Sequence, residues 1–161
     1  MSGPSADERS QPDPYAVFRP RLGRRVALVM AVLSVLIFTV GALSLPRLDP
    51  LSGGWGDVDR LLMVCCGLVL AAFLWRYASI RAVPSTHGVV IRNLVTTRTL
   101  EWAQIIRVQF GGGDPWVSVD LDDTDTVAVM AIQKADGAFG RGEAARLSAL
   151  VQVHSRPHPP V

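Results

Sequence analysis

Two long apolar runs occupy the first half of the chain, and a period-two alternation of apolar and polar positions occupies the second. The first run, VALVMAVLSVLIFTVGALSL from Val26 to Leu45, carries no charged residue. At about 1.5 Å of rise per residue its length comes to roughly 30 Å, the thickness of a bilayer's hydrocarbon core. With its basic flank it predicts a transmembrane helix over residues 21–45. The second run, LLMVCCGLVLAAFLW from Leu61 to Trp75, would reach only about 22 Å and needs help at its ends. Trp55, Trp75 and Tyr77 are placed as interfacial aromatics, and Arg60 and Arg76 can snorkel outward, which extends the expected span to residues 57–78. Pro46, Pro50 and the Gly53–Gly54 pair make residues 46–56 a short extracytoplasmic loop. A cleaved signal peptide fits less well, because the run is long, a tail precedes it and no Ala-x-Ala site follows. A buried hairpin of a soluble protein is the other alternative.

From Ser79 onward the period changes to two. Val89 and Ile91 share a face, as do Leu100 with Trp102, Ile106 with Val108 and Phe110, and Val117 with Val119 and Leu121. These are half-buried strands, separated by turn-forming PSTHG, GGGDP and DDTD. TVAVMAIQ, Thr126 to Gln133, is apolar on both faces and reads as a central strand. A helix is expected from about Gly142, with Ala144, Leu147, Leu150 and Val151 inward and Glu143 and Arg146 outward. The fold class expected is thus a membrane α-hairpin followed by a small β-rich domain, residues 79–154, closed by a C-terminal helix. Residues 1–20 are rich in Ser, Pro, Asp and Gln and read as a disordered tail, and residues 155–161 as a flexible one.

Charge sets the orientation. Arg19, Arg21, Arg24 and Arg25 precede the first span and Arg76 and Arg81 follow the second, while the loop offers only Arg47 and Arg60 at its edges. The positive-inside rule then puts both termini in the cytoplasm, with the plasma membrane as the expected location. Lys and Arg total 16 against 14 Asp and Glu, a near balance that argues against a nucleic-acid partner. Lys134 is the lone lysine, a bias without mechanistic weight. Adjacent Cys65 and Cys66 point in different directions on a helix, so no disulfide is expected. His87, His154 and His158 make no metal set, no cofactor is expected, and no nucleophile-base spacing suggests an enzyme.

The two spans, HGVVIRNLVTTRTLEWAQIIRV, a Trp-initiated strand, DDTDTVAVMAIQKADG and the closing ARLSALV together resemble the actinobacterial PH-like family named after the low molecular weight protein antigen 6. The resemblance covers roughly Val26 to Val151, and its most diagnostic pieces are Leu100–Glu101–Trp102 and Ala131 through Gly137. It implies a pleckstrin-homology-like antiparallel barrel or sandwich capped by a helix and attached to a membrane. It implies no established activity.

Phosphoinositide binding by such a fold needs cations around the first hairpin, and here that turn reads VPSTHG, so no phosphoinositide partner is expected. Asp120, Asp122, Asp123 and Asp125 suggest calcium, but counting from Asp120 an EF-hand needs Gly where Asp125 stands and Glu where Ala131 stands. A solvated acidic tip is the better reading. Gly137, Gly140 and Gly142 lack the Gly-Lys-Ser/Thr of a phosphate loop and serve as turn and helix-entry residues. Trp102 and Trp116 fit core or rim packing, or else anchors for a protein partner. The functional expectation is a cytoplasmic interaction or scaffolding module on a two-span anchor, with an unidentified protein or a second copy as partner. The alternative is a sensor of anionic lipid headgroups. The domain, Ala82 to Val161, is expected to fold without the spans.

Overall fold

The computed structural model describes residues 13–44, 56–111 and 113–155. It divides into two compact units, one running from Pro20 to Ile80 and one made of the residues up to Arg19 together with those from Arg81 onward.

Among the described residues the first unit is a pair of helices, α1 (Leu22–Ser44) and α2 (Asp57–Ala78), each long and apolar enough to cross a membrane. Small side chains let them approach closely. Ala27, Ala31, Ser34 and Ala42 are the buried positions of α1, and Gly67 is buried on α2. A Cβ at Gly67 would lie 2.7 Å from that of Phe38, so only glycine fits there. The Ser34 hydroxyl donates to Ala31 O at 3.0 Å and is 3.3 Å from Gly67 O on the facing helix. Away from this seam the helices expose Val29, Leu36, Ile37, Leu62 and Val69. Arg24 and Arg25 are exposed in the first turn of α1. At the start of α2 the Gly56 amide donates to Asp59 Oδ2 at 2.8 Å, and at its end the Ser79 amide donates to Trp75 O at 3.1 Å. Trp55 and nearly all of the expected loop lie outside the described residues.

The second unit holds two three-stranded antiparallel sheets. β1 (Arg81–Pro84), β2 (Gly88–Arg92) and β3 (Thr97–Glu101) form one in that order; β4 (Ile105–Gln109), β5 (Trp116–Leu121) and β6 (Thr126–Gln133) form the other. A 3-10 turn at Trp102–Gln104 carries the chain between them, and α3 (Gly137–Ser155) closes the domain. The alternation read from the sequence gives the core: Val89, Ile91, Leu100, Trp102, Val117, Val119, Leu121, Val127 and Val129 are buried, with Ala144, Leu147, Leu150 and Val151 from α3.

Four expectations change. Ile105 is buried and Ile106 is 68% exposed, because a bulge between Ile105 and Arg107 flips the register of β4. β6 is not central in its sheet but an edge; its polar backbone is met instead by Asn93, whose Nδ2 donates to Ala128 O at 2.7 Å and whose Oδ1 accepts from Met130 N at 3.2 Å. α3 starts five residues earlier than expected, at Gly137 rather than Gly142, and Gly140 is packed against the Gln133 carbonyl. The fourth concerns residues 13–19, which belong to the domain rather than to a disordered tail.

Candidate functional site

The segment before α1 starts with a turn. Ala16 N donates to Asp13 O at 3.0 Å and Tyr15 N to Asp13 Oδ1 at 2.9 Å, with Asp and Pro in the first two positions, where such turns favour them. The chain then extends along β1. Phe18 N donates to Ala82 O at 2.9 Å and Ala82 N returns the bond to Phe18 O at 3.1 Å, a single antiparallel bridge. The Phe18 side chain is 0% exposed. Low apolar content across the tail hid this, because the burial comes from one aromatic inserted into a pocket that other elements build.

Arg146 of α3 organises that pocket. Its Nη1 donates to Pro14 O at 2.9 Å and Ala16 O at 2.8 Å, its Nη2 pairs with Glu143 Oε2 at 2.7 Å, and its Nε reaches Glu143 Oε1 at 3.3 Å. The guanidinium carbon sits 3.8 Å from the Phe18 ring centroid. Arg146 and Glu143 therefore do not point into solvent as the helical pattern suggested; their side chains are 20% and 17% exposed. A planar fork that satisfies a carboxylate, two carbonyls and a ring face at once is a guanidinium's chemistry and not an ammonium's.

Aromatic groups close the other side. His154 Nδ1 donates to Leu150 O at 2.8 Å. A carbonyl only accepts, so in the neutral ring Nε2 is free to accept from the Tyr15 hydroxyl, 3.1 Å away. The imidazole stacks on Trp102 at 5.2 Å between centroids and 23° between planes, and Trp102 Nε1 donates to Ser85 O at 2.9 Å. Trp102 is thus a buried wall of the groove, 3% exposed, and not a free anchor. Trp116 is half-buried at the head of β5, opposite Gln133. His154 sits in the last turn of α3.

The other candidates are brought together less. Trp75 is exposed, and Arg60, Arg76 and Tyr77 are half-buried in the terminal turns of α2, where Arg76 Nη1 donates to Ser79 Oγ at 3.2 Å. His87 lies exposed in the β1–β2 turn beside Thr86, 3.0 Å between Nδ1 and Oγ1. The acidic tip is spent on its own bonds. Asp120 accepts from Gln109 and Thr126, Asp123 Oδ1 accepts from the Asp125 amide at 3.0 Å, and Asp125 pairs with Arg98 at 3.3 Å. A groove of about 340 Å³ with a mixed lining runs past Asn93, Val95, Arg98 and Met130. On the outer face of the first sheet Arg81 stands directly across from Arg92.

Two comparisons bear on this chain. A family model described as "Bacterial PH domain" matches residues 82–147. The chain is also similar to uncharacterized protein Rv1417 of Mycobacterium tuberculosis and uncharacterized protein Mb1452 of Mycobacterium bovis, each 32% identical over 120 residues, 74% of this chain and 77% of each relative. The chain belongs to the bacterial PH-domain family. No solved structure matches it. The matched part of this bacterial PH domain runs from Ala82 to Leu147, which leaves the docked segment and His154 outside it.

Proposed function

We propose that this is a two-span plasma-membrane protein, of the kind named after the low molecular weight protein antigen 6, that presents its bacterial PH domain to the cytoplasm as a non-enzymatic protein-interaction module. The observation that carries the reading is the groove itself, where Ala82, Arg146 and His154, with Trp102 stacked behind the imidazole, hold a turn-then-extended segment by its backbone carbonyls and two aromatic side chains. Sheet edges and helix-flanked grooves recognise peptides in this way. The same contact supports a shared compartment for the two ends. Residues before α1 pack on the domain after α2, so an even number of crossings lies between them. The cytoplasmic side follows from the Arg count alone.

Cysteine labelling tests the topology. In a background lacking Cys65 and Cys66, cysteines at Ala16 and Asp123 should resist an impermeant thiol reagent on intact cells and react after permeabilisation, while one at Ser52 should react at once. Labelling of Asp123→Cys on intact cells would overturn the reading.

A second reading, sensing of anionic headgroups, draws support from Arg81 and Arg92. Like charges directly opposite on paired strands repel, and Arg81 comes three positions after the last residue of α2. The β1–β2 turn adds no Lys or Arg, so an inositol phosphate is not the proposed ligand. Hydrogen exchange of β1 and β2 in nanodiscs with and without anionic lipid separates the readings. Salt-sensitive protection that vanishes in Arg81→Gln/Arg92→Gln favours headgroups; protection independent of lipid charge favours the protein partner.

A further inference from the structure

We propose that the groove between β1, Trp102 and α3 is a peptide-recognition site, and that the chain's own Asp13–Phe18 segment is a detachable ligand that occupies it in cis. This deepens the interaction-module reading and rests on it, but not on membrane crossing. Three observations carry it. First, the recognition is of a ligand type. Arg146 reads two backbone carbonyls, whatever the side chains, while Tyr15 and Phe18, three apart, supply the sequence-dependent anchors, the tyrosine hydroxyl at His154 and the buried phenylalanine ring against the Arg146 guanidinium. Second, the segment is lightly held for a piece of a sheet. It forms one bridge and no strand, and Asp13, Pro14, Ala16 and Val17 remain exposed. Such an element opens locally at low cost compared with the core strands. Third, the match to the family begins at Ala82, so the segment lies outside the matched part and is separated from it in sequence by both long helices.

The ligand class follows from the contacts: a tight turn carrying the tyrosine, with accessible carbonyls just ahead of and after it, that runs on into an extended stretch with the spacing Tyr-x-x-Phe. With its own copy bound, the site is closed to others; with the segment released, it is open.

The test uses the full chain in nanodiscs and a fluorescein-labelled peptide, QPDPYAVFRP, copied from residues 11–20. A tethered segment acts at an effective concentration of about millimolar, so the wild-type chain should bind the peptide about tenfold or more weakly than Tyr15→Ala/Phe18→Ala. A labelled peptide with alanine at the Tyr and Phe positions should bind neither chain. Should the double variant fail to fold, a chain with a protease site inserted between Arg19 and Arg21 decides the matter: folded first and then cut, it should exchange its freed segment for the labelled peptide, and the uncut chain should not. Equal binding by the cut and uncut chains, or no binding by a cut chain that still melts cooperatively, would overturn the proposal. Such a failure removes the groove as a peptide site. Failure of the broader reading shows elsewhere, in lipid-dependent protection of β1 and β2.

Discussion

At the scale of single residues, Arg146 does the most with the least sequence signal. Its pairing with Glu143 was legible as an i,i+3 pair on a helix, but its role was not, because its other partners are backbone carbonyls more than a hundred positions away. Arg146→Ala removes two charge-assisted hydrogen bonds and a ring contact and leaves Glu143 half-buried without its partner; a loss of about 2 kcal/mol is expected in a denaturant melt. Arg146→Lys should recover little of it, since a point charge cannot serve the carboxylate and both carbonyls together. Phe18→Ala should cost up to about 3 to 5 kcal/mol, the usual range for a buried aromatic, with the free energy that docks the segment as the ceiling. The Asp-Pro turn ahead of Phe18 was a readable signal; the pocket it leads to was not, since β1 and α3 build it from the far end of the chain. Thr124 is a different kind of residue. It holds φ at 70° in the β5–β6 turn, a conformation β-branched side chains disfavour. Thr124→Gly should therefore stabilise the domain by up to about 1 kcal/mol, read in the same melts.

At the scale of elements, period two located the strands because each sheet buries one face: Val89 and Ile91 in β2 and Val117, Val119 and Leu121 in β5 fall where alternation puts them. The bulge in β4 broke that rule over a single residue, and nothing in IIRV announces which isoleucine turns inward. β6 read as central because it is apolar on both faces, whereas the structure meets its backbone with one side chain, Asn93. Asn93→Ala should leave Ala128 O and Met130 N without that partner and cost about 1 to 3 kcal/mol. Asn93→Asp, which keeps an acceptor but loses the donor, should not rescue it. The inward face of the closing helix behaves as its pattern says. Leu147 and Leu150 are both buried, so Leu147→Ala or Leu150→Ala should cost about 2 to 5 kcal/mol. In the helical pair, Gly67→Val would place side-chain atoms where Phe38 lies and should weaken disulfide crosslinking between cysteines introduced along α1 and α2.

At the scale of the whole molecule, the chain was read from its sequence as an anchor with an independent domain behind it, and the domain proves to include residues from both sides of the helical pair. A fragment starting at Ala82 lacks Phe18 and leaves its pocket and the Arg146 fork unfilled. It should melt well below the same fragment supplied with the QPDPYAVFRP peptide. The two long helices were legible in the sequence as its two long apolar runs. The docking of residues 13–19 was not, because it depends on one phenylalanine and one arginine meeting across the whole chain. Hydrogen exchange of the full chain in nanodiscs measures that docking directly. The amides of Phe18 and Ala82 should exchange slowly and together, and Arg146→Ala should speed exchange across residues 13–19 by about tenfold or more, and by more than it speeds exchange of Val117 to Leu121. Exchange of Phe18 at the rate of an unstructured peptide in the wild-type chain would contradict the docked segment and the shared compartment it implies.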